Sequence, residues 1–169
     1  MMRDETERVI LVSPSDEELG DAEKLEVHRT GQLHRAFSVF ILDRAGRMLL
    51  QRRALNKYHS GGLWSNTCCG HPRPGEVTLQ AATRRLKEEM GIDVRLQPLL
   101  TFVYYADVGN GLVEHELDHV LVGWTEDEPR PDPTEVHEWQ WVQPEEVNEW
   151  MHRRPNAFTP WFREVLAVA

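Results

Sequence analysis

The run Ser65-Asn66-Thr67-Cys68-Cys69-Gly70-His71-Pro72 places a thiol, a glycine and an imidazole on three successive residues. A cysteine beside cations and metal ligands can be activated for proton transfer. The plainer alternative is that Cys69 is a small buried hydrophobe. Cys68 faces the other way in an extended chain, and we read it as packing.

A second constellation mixes histidine and carboxylate. Glu114 and Glu116 are two apart on a strand-like stretch, so both point to one face, roughly 7 Å apart at Cα. Asp118 continues that face, while His115 and His119 take the other. His28, His34 and His71 fall on loop or strand-start positions ahead of the core. Three imidazoles and two carboxylates suit a divalent ion such as Mn²⁺, Mg²⁺ or Zn²⁺. Each histidine alone also fits an ordinary surface or core residue, and the two glutamates a solvated sheet face. Lys24, Arg53, Lys57 and Arg85 are candidates for a local positive site that would hold a diphosphate. Trp64, Tyr104 and Trp161 are candidates for the wall of an apolar pocket, or for a face presented to a cation.

The elements that must position these groups can be read in order. Glu7–Val12 reads as a first strand, and the polar segment over 13–20 breaks it. Residues 23–28 form a short helix or irregular chain, followed by a turn over 29–32. Residues 33–42 are a strong strand, and the turn Asp43-Arg44-Ala45-Gly46 returns it into 48–52. A polar, glycine-containing loop over 56–63 leads to the central turn. Residues 76–90 are the clearest helix, with Leu79, Ala82, Leu86 and Met90 as its apolar stripe and Gly91 as its stop. Strands follow at 94–96, 99–105 and 112–124, the last two joined at Asn110-Gly111. An acidic, proline-rich loop, a short strand over 139–142 and helices over 144–151 and 159–167 complete the chain. This order predicts an α+β fold, a mixed β-sheet flanked by helices, as a single domain over residues 1–169.

Composition narrows the function. The 169 residues suffice for one domain with a real core. A formal net charge of −9 argues against general nucleic-acid binding. It leaves room for a small anion held by a local cationic cluster. No apolar run spans a bilayer and the charged N-terminus has no signal-type apolar region, so we expect no membrane partner and a cytoplasmic protein. Two adjacent cysteines cannot form a disulfide scaffold, and a reduced compartment follows. We expect a monomer.

The helix carries a specific pattern. Gly70, Glu76, Arg84, Leu86, Glu88, Glu89, Gly91 and Ile92 match eight of the nine defined positions of the Nudix signature Gly-x5-Glu-x7-Arg-Glu-apolar-x-Glu-Glu-x-Gly-apolar. Glutamates on one helical face gather Mg²⁺, and the metal neutralises a diphosphate. A surface helix with Arg84–Glu88 and Arg85–Glu89 pairs would carry many of the same residues. Arg85 stands where the signature has a glutamate. That substitution weakens the case for phosphoanhydride hydrolysis and adds a cation beside Glu89 that could hold phosphate.

Taken together, the chain resembles the type 1 isopentenyl-diphosphate delta-isomerases, which have a Nudix-like fold. The resemblance is carried by 33–38, 51–54, Trp64 to Pro72, Glu114-His115-Glu116 and Phe158-Thr159-Pro160-Trp161. The Thr-Cys-Cys-Gly-His-Pro run is its most specific part, and residues 123–157 contribute little. The resemblance implies that Cys69 and Glu116 are the catalytic acid–base pair. It implies that His28, His34, His71, Glu114 and Glu116 bind one divalent ion. Glu89, with the Cys69 carbonyl, would help hold a second, Mg²⁺, bound with the diphosphate. Lys24, Arg53, Lys57 and Arg85 match substrate-binding cations, Tyr104 a tyrosine bonded to the catalytic glutamate, and Trp161 a tryptophan lining the pocket. The implied reaction moves the double bond of isopentenyl diphosphate to give dimethylallyl diphosphate. The alternatives are a Nudix hydrolase of a nucleoside diphosphate derivative and a non-catalytic metal-binding module.

Overall fold

The run His34–Leu42 forms β3, and its almost continuous apolar sequence suits a strand covered on both faces. The computed structural model describes residues 7–57 and 59–168 and places β3 inside a mixed nine-stranded sheet. The opening residues 1–6 of the expected domain, like position 169, lie outside the described residues. On one side of β3, β8 (Leu112–Trp124) runs parallel, with His34 opposite Glu116 and Ser38 opposite Val120. On the other, β6 (Cys68–Gly70) runs antiparallel, with Ser38 opposite Cys69. Further along, β4 (Met48–Arg53) returns from β3 and pairs with β5 (Trp64–Ser65) and β9 (Val136–Val142). β1 (Arg8–Val12) joins β3 to β2 (Glu18–Glu23), and β7 (Gln97–Gly109) closes a long hairpin with β8.

Strand alternation sorts the core into two layers. Phe37, Val39 and Ile41 face α2 (Thr78–Met90), where they pack with Ala81, Ala82, Leu86, Met90 and Cys68. Phe40 takes the opposite face with Leu50 and Val120. It packs against Val147 of α3 (Pro144–Arg153) and against Phe162 and Val165 of α4 (Pro160–Val168). Full burial of a side chain such as Phe37 stabilises by about 1.5–3 kcal/mol. The arrangement is the α+β fold expected, with helices on the mixed sheet. No helix among the described residues is long and apolar enough to cross a membrane.

Several elements differ from the sequence reading. The polar break expected over 13–20 ends at residue 17, and Glu18–Glu23 is a strand pairing with β1 whose half-exposed sequence hides the alternation. The central turn is two short strands, β5 and β6, around Asn66 and Thr67. Residues 94–96 make no strand, because Val94 and Leu96 pack into the core without a ladder partner. Leu79 is 38% exposed, and Ala81 holds its expected place in the helix stripe. The last strand begins at Val136, three residues before its expected start at Trp139.

Candidate active site

Four donors converge from four elements. α1 (Lys24–Thr30) ends at Gly31, whose left-handed φ of 74° closes the helix, and its last turn carries His28. His28 thus comes from a helix rather than a loop. His34 opens β3, His71 follows β6, and Glu116 sits in β8. Ligand atoms of His28, His34, His71 and Glu116 all lie within 4.8 Å of one another. His34 Nε2 and His71 Nε2 approach Glu116 Oε2 at 3.2 and 2.8 Å.

Hydrogen bonds fix which nitrogen faces inward. The Nδ1–H of His28 donates to the Lys24 carbonyl at 2.7 Å, and that of His34 to the Gln32 carbonyl at 2.9 Å. A carbonyl only accepts, so Nδ1 carries a proton in both rings and Nε2 is the atom turned toward the cluster, the arrangement of metal-ligating histidines. With neutral rings each Nε2 presents a lone pair toward a carboxylate oxygen, and a cation between them turns that repulsion into ligation. The donor set therefore fits a divalent ion. Burial drives the His71 imidazole well below the ordinary histidine range, which keeps it a neutral ligand.

A second group consists of His28, His59 and Glu114. His59 Nε2 lies 3.4 Å from Glu114 Oε1 and the ring stacks on His28. The sequence reading passed over His59, which lies in a loop without periodicity. Its only signal is the unusual number of histidines, eight in the chain.

β7 and β8 supply the carboxylate pair and its donor. Glu114, Glu116 and Asp118 are all buried on one face of β8, as their spacing predicts. His115 and His119 point away, to the Gly31 carbonyl and to Asp16. The Tyr104 hydroxyl donates to Glu116 Oε1 at 2.6 Å and also lies 3.0 Å from Glu114 Oε2. Burial, then the charges of Glu114 and Glu116, hold the Tyr104 phenol well above its usual pKa, so it remains a donor. Burial alone would raise the Glu116 carboxyl, but contacts with Glu114, His34 and His28 outweigh it and bring the pKa down to about 2.

Cys69 reaches this face because Ser38 is its register partner. Its Sγ lies 3.1 Å from Asn66 Oδ1 and 3.7 Å from Ser38 Oγ. The Ser38 hydroxyl in turn donates to Asp118 Oδ2 at 2.7 Å. Burial, reinforced by the Asp118 charge, raises the thiol pKa, so Cys69 holds its proton. Cys68 points into the opposite layer, as expected. Gly70 is dictated by packing, since a Cβ there would stand 2.7 Å from the Phe37 ring.

One cavity brings together Cys69, Glu116, Tyr104 and Trp161 with Lys24, Arg53, Lys57, Arg85 and Glu89. Its cations are held by neighbours. Lys57 and Arg85 both bond Glu135, and Arg85 also bonds Glu88 and Glu89. Lys24 lies 3.5 Å from Glu7. Gln51 donates to Glu89 at 2.8 Å. The helix pairs Arg84–Glu88 and Arg85–Glu89 are both present, and Arg84 additionally forks onto Glu76. Arg53 lies over the Trp161 ring, 5.0 Å from its centroid. Trp161 reaches the cavity because Thr159 N–H donates to the Trp64 carbonyl, which ties the start of α4 to β5. Trp64 itself packs away from the cavity with Trp150 and Phe158. Sequence reasoning did not single out Asn66, Ser38, Gln51 or Glu135, since polar residues of these types carry no periodic signal.

Comparison with known proteins adds three findings. Residues 32–162 match the model of the NUDIX domain. The chain is 49% identical over 160 residues to an isopentenyl-diphosphate Delta-isomerase of Serratia proteamaculans, covering 95% of this chain and 89% of that protein. It is 54% identical over 156 residues to one of Burkholderia multivorans, covering 92% and 89%. A crystal structure from Deinococcus radiodurans shares the fold with a TM-score of 0.77 at 20% identity, covering 95% of this chain and 98% of that one.

Proposed function

The chain belongs to the isopentenyl-diphosphate Delta-isomerase family, built on a NUDIX domain, and from that premise we propose that it converts isopentenyl diphosphate to dimethylallyl diphosphate with Cys69 and Glu116 as its acid–base pair. The observation that carries the assignment is that the Cys69 thiol and the Glu116 carboxylate line the same cavity, the thiol against Asn66 Oδ1 and the carboxylate under the Tyr104 hydroxyl.

Moving an unactivated double bond requires a proton to be added at the terminal carbon and another removed from the carbon on the far side of the branch. The intermediate is a tertiary carbocation. Cys69 and Glu116 exchange these two protons with the substrate, so that the sum of the two transfers leaves the enzyme unchanged in charge. Tyr104 holds Glu116 through Oε1, leaving Oε2 to His34 and His71. Trp161 and Tyr104 form an aromatic wall that excludes water from the cation. An indole face attracts a desolvated cation by about 2 kcal/mol.

Lys24, Arg53, Lys57 and Arg85 anchor the diphosphate, which does not react. Glu7 holds Lys24 at the cavity edge, Glu135 holds Lys57 and Arg85, and Arg53 is held by the His59 carbonyl and the Trp161 ring. A divalent ion, Mn²⁺, Mg²⁺ or Zn²⁺, would be held by His28, His34, His71, Glu114 and Glu116 and supply fixed positive charge, and Mg²⁺ at Glu89 would neutralise the diphosphate.

The test is incubation of the purified protein with isopentenyl diphosphate and Mg²⁺ in D₂O, followed by NMR. Deuterated dimethylallyl diphosphate is expected. Inorganic phosphate or isopentenyl monophosphate would replace this reading with hydrolysis. Near wild-type turnover by both Cys69→Ala and Glu116→Gln would remove the acid–base assignment.

A further inference from the structure

Asn66 is fully buried between β5 and β6, three residues from the thiol. Its amide orientation is settled by its partners. Nδ2 donates to the carbonyls of Val39 and Cys68 at 3.0 and 3.1 Å, and a carbonyl only accepts. Reversing the amide would turn its oxygen onto two carbonyl oxygens. Oδ1 must therefore face the other way, where it meets Ser65 Oγ at 2.9 Å and Cys69 Sγ at 3.1 Å. An amide oxygen carries no proton, so the thiol is the donor in this contact. Among the described residues the other polar group bonded to Cys69 Sγ, Ser38 Oγ, is farther away at 3.7 Å.

We propose that Asn66 is a positioning residue that aims the Cys69 S–H and holds the sulfur in register with the substrate. The proposal rests on the reading of Cys69 as one half of the acid–base pair. The acceptor is itself anchored from the substrate wall. The Phe162 N–H donates to Thr159 Oγ1 at 3.3 Å, Thr159 Oγ1 donates to Ser65 Oγ at 3.2 Å, and Ser65 Oγ donates to Asn66 Oδ1. The start of α4, which brings Trp161 to the cavity, is thus joined to the thiol through hydrogen bonds that converge on one acceptor, Asn66 Oδ1. Movement of Trp161 and movement of the sulfur are mechanically linked through Asn66.

The experiment uses the S–H stretching band of the metal-loaded enzyme in the infrared, assigned to Cys69 by its loss in Cys69→Ala. A hydrogen-bonded thiol absorbs at lower frequency than a free one. Asn66→Ala is expected to move the band to higher frequency. It should lower kcat roughly 10- to 100-fold, with KM for isopentenyl diphosphate unchanged because the diphosphate anchors are untouched. Ser65→Ala leaves the thiol as the one side-chain donor to Asn66 Oδ1 and is expected to move the band to lower frequency. This second variant carries the test if Asn66→Ala does not fold. A band unmoved by either variant, or wild-type kcat in a folded Asn66→Ala, overturns the inference. Full turnover in Cys69→Ala overturns the acid–base reading instead, and is scored independently of Asn66.

Discussion

Tyr104 and Glu116 are register partners across the β7–β8 ladder, and the phenol hydroxyl donates to Glu116 Oε1 at 2.6 Å. The other oxygen, Oε2, is left to His34 and His71. One carboxylate is thereby held at both ends, by a neutral donor on one side and by the imidazole cluster on the other. Tyr104→Phe keeps the ring stacked on Phe102 and removes only the donor. We expect kcat to fall roughly 10- to 100-fold through loss of Glu116 orientation. Stability should fall by about 1–3 kcal/mol, as for a buried acceptor left without its donor. Steady-state kinetics and denaturant unfolding of the variant check both.

Removing divalent metal should lower stability as well as activity, because three imidazoles and the Glu116 carboxylate are brought together with their ligand atoms within 4.8 Å of one another. An ion present at 100 times its Kd stabilises by about 2.7 kcal/mol, which corresponds to roughly 5–10 °C in Tm for a chain of this size. Thermal melts before and after chelation, and after return of Mn²⁺, measure this. His34→Ala should melt at the same temperature in all three conditions. A chelator-insensitive melt of the unmodified protein would contradict the ligand assignment.

Gly70→Ala tests packing next to the thiol. The added methyl would meet the buried Phe37 ring at 2.7 Å, and that ring lies against the α2 layer. Overpacking of this kind costs about 1–3 kcal/mol. The ring or β6 must shift, and β6 carries Cys69, so turnover should fall with stability. Urea unfolding and kinetics on the same preparation check the two together.

The Arg84–Glu76 fork predicts a pH signature. The hydrogen bond from Arg84 holds the Glu76 carboxyl below the usual carboxylate range. A group with a lowered folded pKa stabilises above its unfolded pKa, 4.5 here, and loses that contribution as pH falls through the folded value. Glu76→Gln should therefore be less stable than the parent protein at pH 7 by roughly 1 kcal/mol, a size set by partial exposure. The difference should shrink below pH 4.5. Melts of both proteins from pH 7 to pH 3 read it directly, and a difference independent of pH would assign the cost to packing alone.

Residue type and local spacing determined a good deal of this protein. The two-residue period put Glu114, Glu116 and Asp118 on one face and turned Cys68 away from Cys69, because strand geometry is local. The helix expected over 76–90, which begins at Thr78, its Gly91 stop and the β3 core strand were equally legible, since burial on a helix or on both faces of a strand writes a strong pattern. Exposed or edge structure was not. β2 is polar and among the described residues pairs with β1 alone, and β5 and β6 are too short for any period to show. Tertiary structure alone decided the distances that matter for chemistry. His34 meets Glu116 across 82 residues through a parallel register, and no local signal encodes that register. His59 reached Glu114 on a loop, Arg53 covered Trp161, and Asn66 turned its oxygen to the thiol. Each of these is a polar side chain placed by the backbone of a distant element, and its partner follows from how the sheet and helices close around it.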